Sequence, residues 1–335
     1  MTLAASGIGK DVFFAHGRIA VLQQLLLSNS DIDRLLGAHD LTEVTRILVE
    51  LKLSSRIDQG ISDPDRILDA IAVWVRSEVL EMAPQKYVQT FDVLWLEGDL
   101  PLFSYLLKAK LGLTSVISRV PTPAISAYAP AVWQALVEEG VSGDLPPSAV
   151  SCAKEALALR EPTPALVDTI VARWGVGHML ALARASGRHL IVSYVRHAID
   201  LQNIRTTLRV LDLPSKERAA LFLHGGTLPL SAFSGTKQDL QHAIAVAEIG
   251  FTLTGEMQNG DHRELEQSLS SVLAEDIAAM WNIPLSIEPL FAFAALTLLQ
   301  LRLLRTLLLA KRAGFSPQDT KRVLPPFLPA THYVL

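Results

Sequence analysis

The chain has 335 residues, half of them hydrophobic, 6% aromatic and 19% charged, enough for a large core and for one big or two ordinary domains. A net charge of −4 leaves no basic footprint and argues against nucleic acid as the main partner. A single cysteine, Cys152, excludes an intrachain disulfide and fits a reducing compartment. Leucine and alanine dominate and alternating β-branched runs are scarce, so the expected fold class is all-α.

Residues 1–20 carry Lys10, Asp11, His16 and Arg18 and no continuous apolar core, so they do not read as a secretion signal. A helix is expected over GRIAVLQQLLLS, with Ile19, Leu22, Leu25 and Leu26 inward. Ser28, Asn29 or Ser30 then offers an N-cap for DIDRLLGA, and LTEVTRILVEL follows with Val44, Ile47, Leu48 and Leu51 inward. Leu53–Pro64 reads as a loop. Asp63 caps the next helix, Pro64 takes its first position, and the helix runs to about Ala83, where Pro84 closes it. Seven prolines between 119 and 165 predict short helices broken by turns. The stretch 193–213 reads as one amphipathic helix, half buried, with Leu201, Ile204, Leu208 and Leu211 in a stripe and Asp200, Asn203 and Thr207 in a polar line beside it. Two consecutive glycines, Gly225 and Gly226, require a tight turn, and helix resumes over 236–281 with a polar break at 255–262.

The apolar run 289–310 is long enough to cross a bilayer, but Arg302 and Arg305 lie inside it. Each costs about 2.5–3.5 kcal/mol at a membrane centre, so a buried helix with both arginines on one polar edge is the cheaper arrangement and no membrane span is expected.

The 193–213 helix has two echoes. At an offset of 101 residues, Asp99 pairs with Asp200, Phe103 with Ile204, Leu107 with Leu208 and Lys108 with Arg209. At an offset of 100 in the other direction, Gln300 pairs with Asp200, Leu304 with Ile204, Arg305 with Arg205 and Leu308 with Leu208, while Lys311 matches Lys110 of the first copy. Asn203 is replaced by Leu102 and Leu303. Near-equal spacing of three copies points to three repeated helical units, 1–120, 121–235 and 236–335.

Chemistry-bearing motifs are poor. Ser6–Lys10 is glycine-rich but lacks phosphate-loop spacing, His224-Gly225-Gly226 has no G-x-S-x-G elbow to serve, and the nine histidines show no H-E-x-x-H. No D-D-x-x-D holds magnesium for diphosphate chemistry. No catalytic residue, cofactor or metal site is therefore expected.

Three segments carry a resemblance: GRIAVLQQLLLSNSDIDRLLGAHDLTEVTRIL, then AIDLQNIRTTLR followed by LFLHGG, then EPLFAFAALTLLQLRLLRTLLLAKRAGFSPQD, with DLPLFSYLLKAKLG as a further partial match. Together they resemble the C-type subunit of V/A-type rotary ATPases, equivalent to the d-type subunit of the vacuolar ATPase, over roughly residues 11–325. The residues that carry the family form are Asp99, Lys108, Lys110, Asp200, Asn203, Arg205, Arg209, Gly225, Gly226, Glu288, Arg305 and Lys311. Gln300 stands where the family has an acid, and Leu102 and Leu303 where it tends to have Asn. The resemblance implies a funnel of three helical units around a pseudo-threefold axis. It implies a non-catalytic central-stalk connector whose partners are the stalk subunits and the membrane rotor ring, peripheral on the cytoplasmic face, in ATP-driven ion transport or ATP synthesis. The signature residues are expected to be structural, holding equivalent helices together by polar pairing. Read without the resemblance, the same residues fit an α-helical scaffold or interaction protein, or less readily an all-α enzyme.

Overall fold

The computed structural model describes residues 12–114, 120–210, 212–247, 249–250 and 262–329, and all regular structure among them is helical. The glycine-rich stretch Ser6–Lys10, most of the polar break at 255–262, and Leu211 of the 193–213 stripe lie outside the described residues. Two compact units emerge: one joins the segment up to Val88 with the segment from Ile249 onward, the other is the continuous stretch Gln89–Glu248.

The discontinuous unit contains α1 (Val12–Leu22), α2 (Asn29–Gly37), α3 (Leu41–Glu50) and α4 (Pro64–Met82). Of the three caps open to α2, Ser28 is used: its hydroxyl accepts from the Asp31 N–H and the Asp31 carboxylate accepts from the Ser28 N–H, a reciprocal capping box. Asp63 caps α4 through the Arg66 N–H at 3.0 Å with Pro64 at the first helical position. Between α3 and α4 the expected loop contains one short 3-10 turn, Lys52–Arg56.

The continuous unit holds α5 (Asp92–Lys110), α6 (Pro130–Glu139), α7 (Pro147–Leu157), α8 (Pro164–Ala185), α9 (His189–Arg209), α10 (Ser215–Ala220), α11 (Leu230–Ser234) and α12 (Lys237–Val246). Its centre is the packing of α5 on α8, with α6, α7 and α9 around them. Gly175 on α8 makes this contact possible, because a Cβ there would lie 2.6 Å from the Leu100 side chain. Phe103 stacks on Trp133 at 4.5 Å between ring centroids, and Trp174 meets both edge-on. α5 continues through Pro101, which faces outward on the exposed side of the helix. The 193–213 helix begins earlier than its pattern predicts, at His189, and ends at Arg209.

The chain then returns to the first unit with α13 (His262–Trp281), α14 (Glu288–Arg312) and α15 (Pro317–Val323). α14 is the core of this unit: every residue from Ser286 to Thr297 is buried, and α1, α3, α4, α13 and α15 pack on it. α8 and α14 are both long and apolar enough to cross a membrane, and two-thirds of the apolar window of α14 is covered by the protein itself. Its arginines lie at the polar edge, where Arg305 pairs with Asp69 at 2.7 Å and Arg312 with Asp65 at 2.6 Å, both acids on α4.

Candidate functional site: three buried polar anchors

The three echo helices are α5, α9 and α14, and the residues that head their signatures, Asp99, Asp200 and Gln300, are 0%, 0% and 1% exposed. A polar group at zero exposure is tolerated only when it is hydrogen-bonded. Each of the three is satisfied by backbone lying 27–29 residues further along the chain.

On α5, the Asp99 carboxylate accepts from the Ala127 N–H at 2.6 Å and the Tyr128 N–H at 3.2 Å, and from the Trp133 indole N–H at 2.7 Å. The non-helical segment that supplies the two backbone N–H groups, here called a strap, lies directly on the helix. A Cβ at Gly98 would stand 2.1 Å from the Ile125 carbonyl oxygen, so only glycine lets the backbone come this close.

On α9, the Asp200 carboxylate accepts from the Thr227 N–H at 2.7 Å, the Leu228 N–H at 3.0 Å and the Thr227 hydroxyl. Here the glycine is on the strap: a Cβ at Gly226 would lie 2.0 Å from Asp200 Oδ1. Gly225, at φ 114°, makes the turn, and Arg196 donates to the Gly226 carbonyl at 3.3 Å. One turn beyond Asp200, Asn203 makes a reciprocal pair with Leu223, accepting from its N–H at 2.9 Å and donating to its carbonyl at 2.8 Å. The polar line is buried, Thr207 included, and at Asp200 and Asn203 the helix expected to be half buried is covered by its own downstream loop. Leu102 and Leu303, the counterparts of Asn203, are buried at 3% and 2% and fill core instead.

On α14, Gln300 Oε1 accepts from the Leu27 N–H at 3.0 Å, and its amide nitrogen donates to the Leu328 carbonyl at 2.9 Å.

The remaining signature residues divide by exposure. Lys108 pairs with Asp168 at 2.9 Å, and the Ser104 hydroxyl donates to the same carboxylate. Lys110 and Arg209 are exposed and Arg205 is half-buried. Glu288, 3% exposed, accepts from the Ser286 hydroxyl beside the start of α14. Arg305 is the exposed partner of Asp69, whose carboxyl is raised above the usual range because burial outweighs the opposing pull of the arginine. Lys311 reaches the end of α2, donating to the Leu36 carbonyl at 3.0 Å and the Ala38 carbonyl at 2.7 Å, where the helix leaves its last acceptors unpaired.

Sequence patterns alone do not single out Gln300 as an anchor, nor Gly98, Trp133 or Asp168. A signal for the first was present: each anchor is followed about thirty residues later by a proline, Pro130, Pro229 or Pro329, at the end of the strap it holds. Among the described residues no three histidine, cysteine or acidic side chains converge on a metal position. Cys152 is buried and its thiol is pushed up to about 12 by desolvation, with Glu155 adding to it, which is the reverse of an activated nucleophile.

A family model described as the ATP synthase (C/AC39) subunit matches residues 15–323, nearly the whole chain. The protein belongs to the ATP synthase (C/AC39) subunit family. Comparison with individually curated proteins gives no match. Membership of the C/AC39 family extends through all three anchored helices, from α1 to the last residue of α15. In this C/AC39 chain Asp99, Asp200, Asn203 and Gln300 bond to loop backbone, and the partners of Asp99, Asp200 and Asn203 given above come from the same unit as the helix that bears them.

Proposed function

We propose that this chain is a non-catalytic central-stalk connector of a V/A-type rotary ATPase, coupling the stalk to the membrane rotor ring in ATP-driven ion transport or ATP synthesis. The observation that carries this reading is the family match over residues 15–323. The site described above supports it in kind. A torque-bearing adaptor needs stiffness and two complementary surfaces, and no reacting group. Buried anchors on three long helices supply stiffness.

In this reading the three anchored helices belong to three helical units, 1–120, 121–235 and 236–335, arranged as a funnel around a pseudo-threefold axis. That division rests on the repeated anchors. The partners are the central-stalk subunits and the rotor ring, the place is the cytoplasmic face of the membrane, and the chain is held there through the complex. Extraction of native membranes in mild detergent, followed by cross-linking and mass spectrometry, is expected to trap this chain with stalk and ring proteins together. A chain recovered only with unrelated proteins, or absent from the rotary complex, overturns the proposal.

A further inference from the structure

We infer that the third anchor is a two-sided amide clamp where the other two are one-sided carboxylate grips, that Gln300 in it ties the segment before α2 to the strap after α15, and that the strap is the releasable side. At the first two anchors the strap presents N–H groups, and an ionised carboxylate, which only accepts, is the matching side chain. At the third, the strap presents a carbonyl, that of Leu328, and an N–H arrives from a different segment, at Leu27. No carboxylate can serve both. Its second oxygen would face the Leu328 carbonyl oxygen, two acceptors in contact in a site 1% exposed. A primary amide offers one acceptor and two donors, and only one orientation of it satisfies Leu27 N–H and Leu328 C=O at once. The strap itself favours this chemistry: within Leu324–Pro329, residues 325, 326 and 329 are prolines and have no N–H to give.

The two sides of the clamp differ. The Leu27 bond is fully buried, whereas the Leu328 bond is partly exposed and holds its strap by one neutral contact. The straps at Asp99 and Asp200 are each held by two backbone N–H groups on a charge, contacts about twice as strong apiece. The strap over 325–329 therefore opens before the other two. The clamp holds whether or not the protein sits in a rotary machine, so its failure and the failure of that assignment are separate results.

The test is Gln300→Glu in the full chain, alone and with Phe327→Cys on the strap, beside the parent proteins at pH 8 and pH 5. Buried Cys152 leaves the engineered thiol as the reactive one. At pH 8 the ionised Glu still accepts from Leu27 but repels Leu328. Hydrogen exchange at the Leu27 amide stays near the parent rate, labelling of Cys at 327 rises at least about tenfold over the Phe327→Cys parent, and the melting temperature falls by about 5 °C. Beside a carbonyl the Glu pKa is raised in the folded state, so the deficit is absent below the unfolded value and grows as pH rises through the folded one. At pH 5 the protonated acid donates to Leu328 as the amide does, and both strap labelling and melting temperature return toward the parent. Gln300→Leu, which can make neither bond, frees the Leu27 amide and the strap together at both pH values. Strap labelling unchanged in Gln300→Glu at pH 8, or equal impairment of that variant at both pH values, including failure to fold at either, overturns the clamp.

Discussion

α9 and α14 carry the same signature a hundred residues apart and solve the burial of its head residue in different ways. α9 buries a charge, Asp200, with Asn203 and Thr207 beside it, and its own downstream loop bonds to the first two. α14 buries a neutral amide in the middle of a largely apolar helix and keeps its basic residues beyond it, on Arg302, Arg305, Lys311 and Arg312. The difference teaches that the feature repeated within this chain is a position and a task. The residue type follows from whether the strap offers a donor or an acceptor.

The sharpest way to break this comparison is to remove the head residue of α9. Asp200→Ala leaves the buried Leu228 N–H without an acceptor, at roughly 1–3 kcal/mol, and the part-buried Thr227 N–H for less, so a loss of about 2–4 kcal/mol is expected by urea denaturation. A loss below about 1 kcal/mol would mean that the strap rests on packing and that the charge is incidental. Asp99→Ala should cost at least as much and also change the near-ultraviolet signal of Trp133, whose indole N–H loses its acceptor.

A smaller effect is expected at the basic end of α14. Lys311→Met keeps the alkyl stem but releases two carbonyls at the end of α2, for about 1 kcal/mol. The loss should appear as faster hydrogen exchange in α2 with little change in the continuous unit.

In that unit, His178 accepts or donates at 3.1 Å to the Tyr128 hydroxyl and stacks on Trp174. Burial holds its imidazole below the usual histidine range. In the unfolded chain the group takes its proton near pH 6.5, so its contribution to stability is present above that value and is lost as pH falls through the depressed folded one. Denaturation at pH 7.5 and pH 5.5 should show this drop in the parent and a shallower one in His178→Phe, and equal slopes would remove His178 as a source of the pH dependence.

Least should happen at Arg305→Ala. Both members of its pair with Asp69 are about half exposed, and such pairs contribute about 0–1 kcal/mol in solution. The change in melting temperature should be near the limit of detection and vanish in high salt.

Much of the fold is legible in the sequence because it depends on local rules. Asp63 and Pro64 start α4, and Ala83 ends it before Pro84, as the residues themselves dictate. The three echo helices follow from periodicity and equal spacing, and Gly225-Gly226 is a turn. What stays hidden is every partner that lies outside the helical repeat. Nothing in a 3.6-residue pattern says that Asp99 will meet Ala127, or that Lys311 will close a helix that ends at Gly37. Nor does it say that Gly98 is there for a strap rather than for flexibility. The departure at Gln300 is visible in the sequence, yet its reason is not, because that reason is the direction in which one backbone carbonyl points.

The discontinuity of the first unit bears on how the protein is made. A ribosome delivers Gln89–Glu248 in one stretch, so that unit can close on itself as soon as it emerges. α1, α3 and α4 have no such option: the helix they pack against begins at Glu288, and the amide that fastens Leu27 is residue 300. At about 5–20 residues per second, α4 waits on the order of ten seconds or more for α14. During that interval its apolar face, Leu68, Ile71 and Val75, has only its neighbours or a chaperone to lie against. These helices leave the ribosome well before the continuous unit and are among the last parts of the fold to be finished.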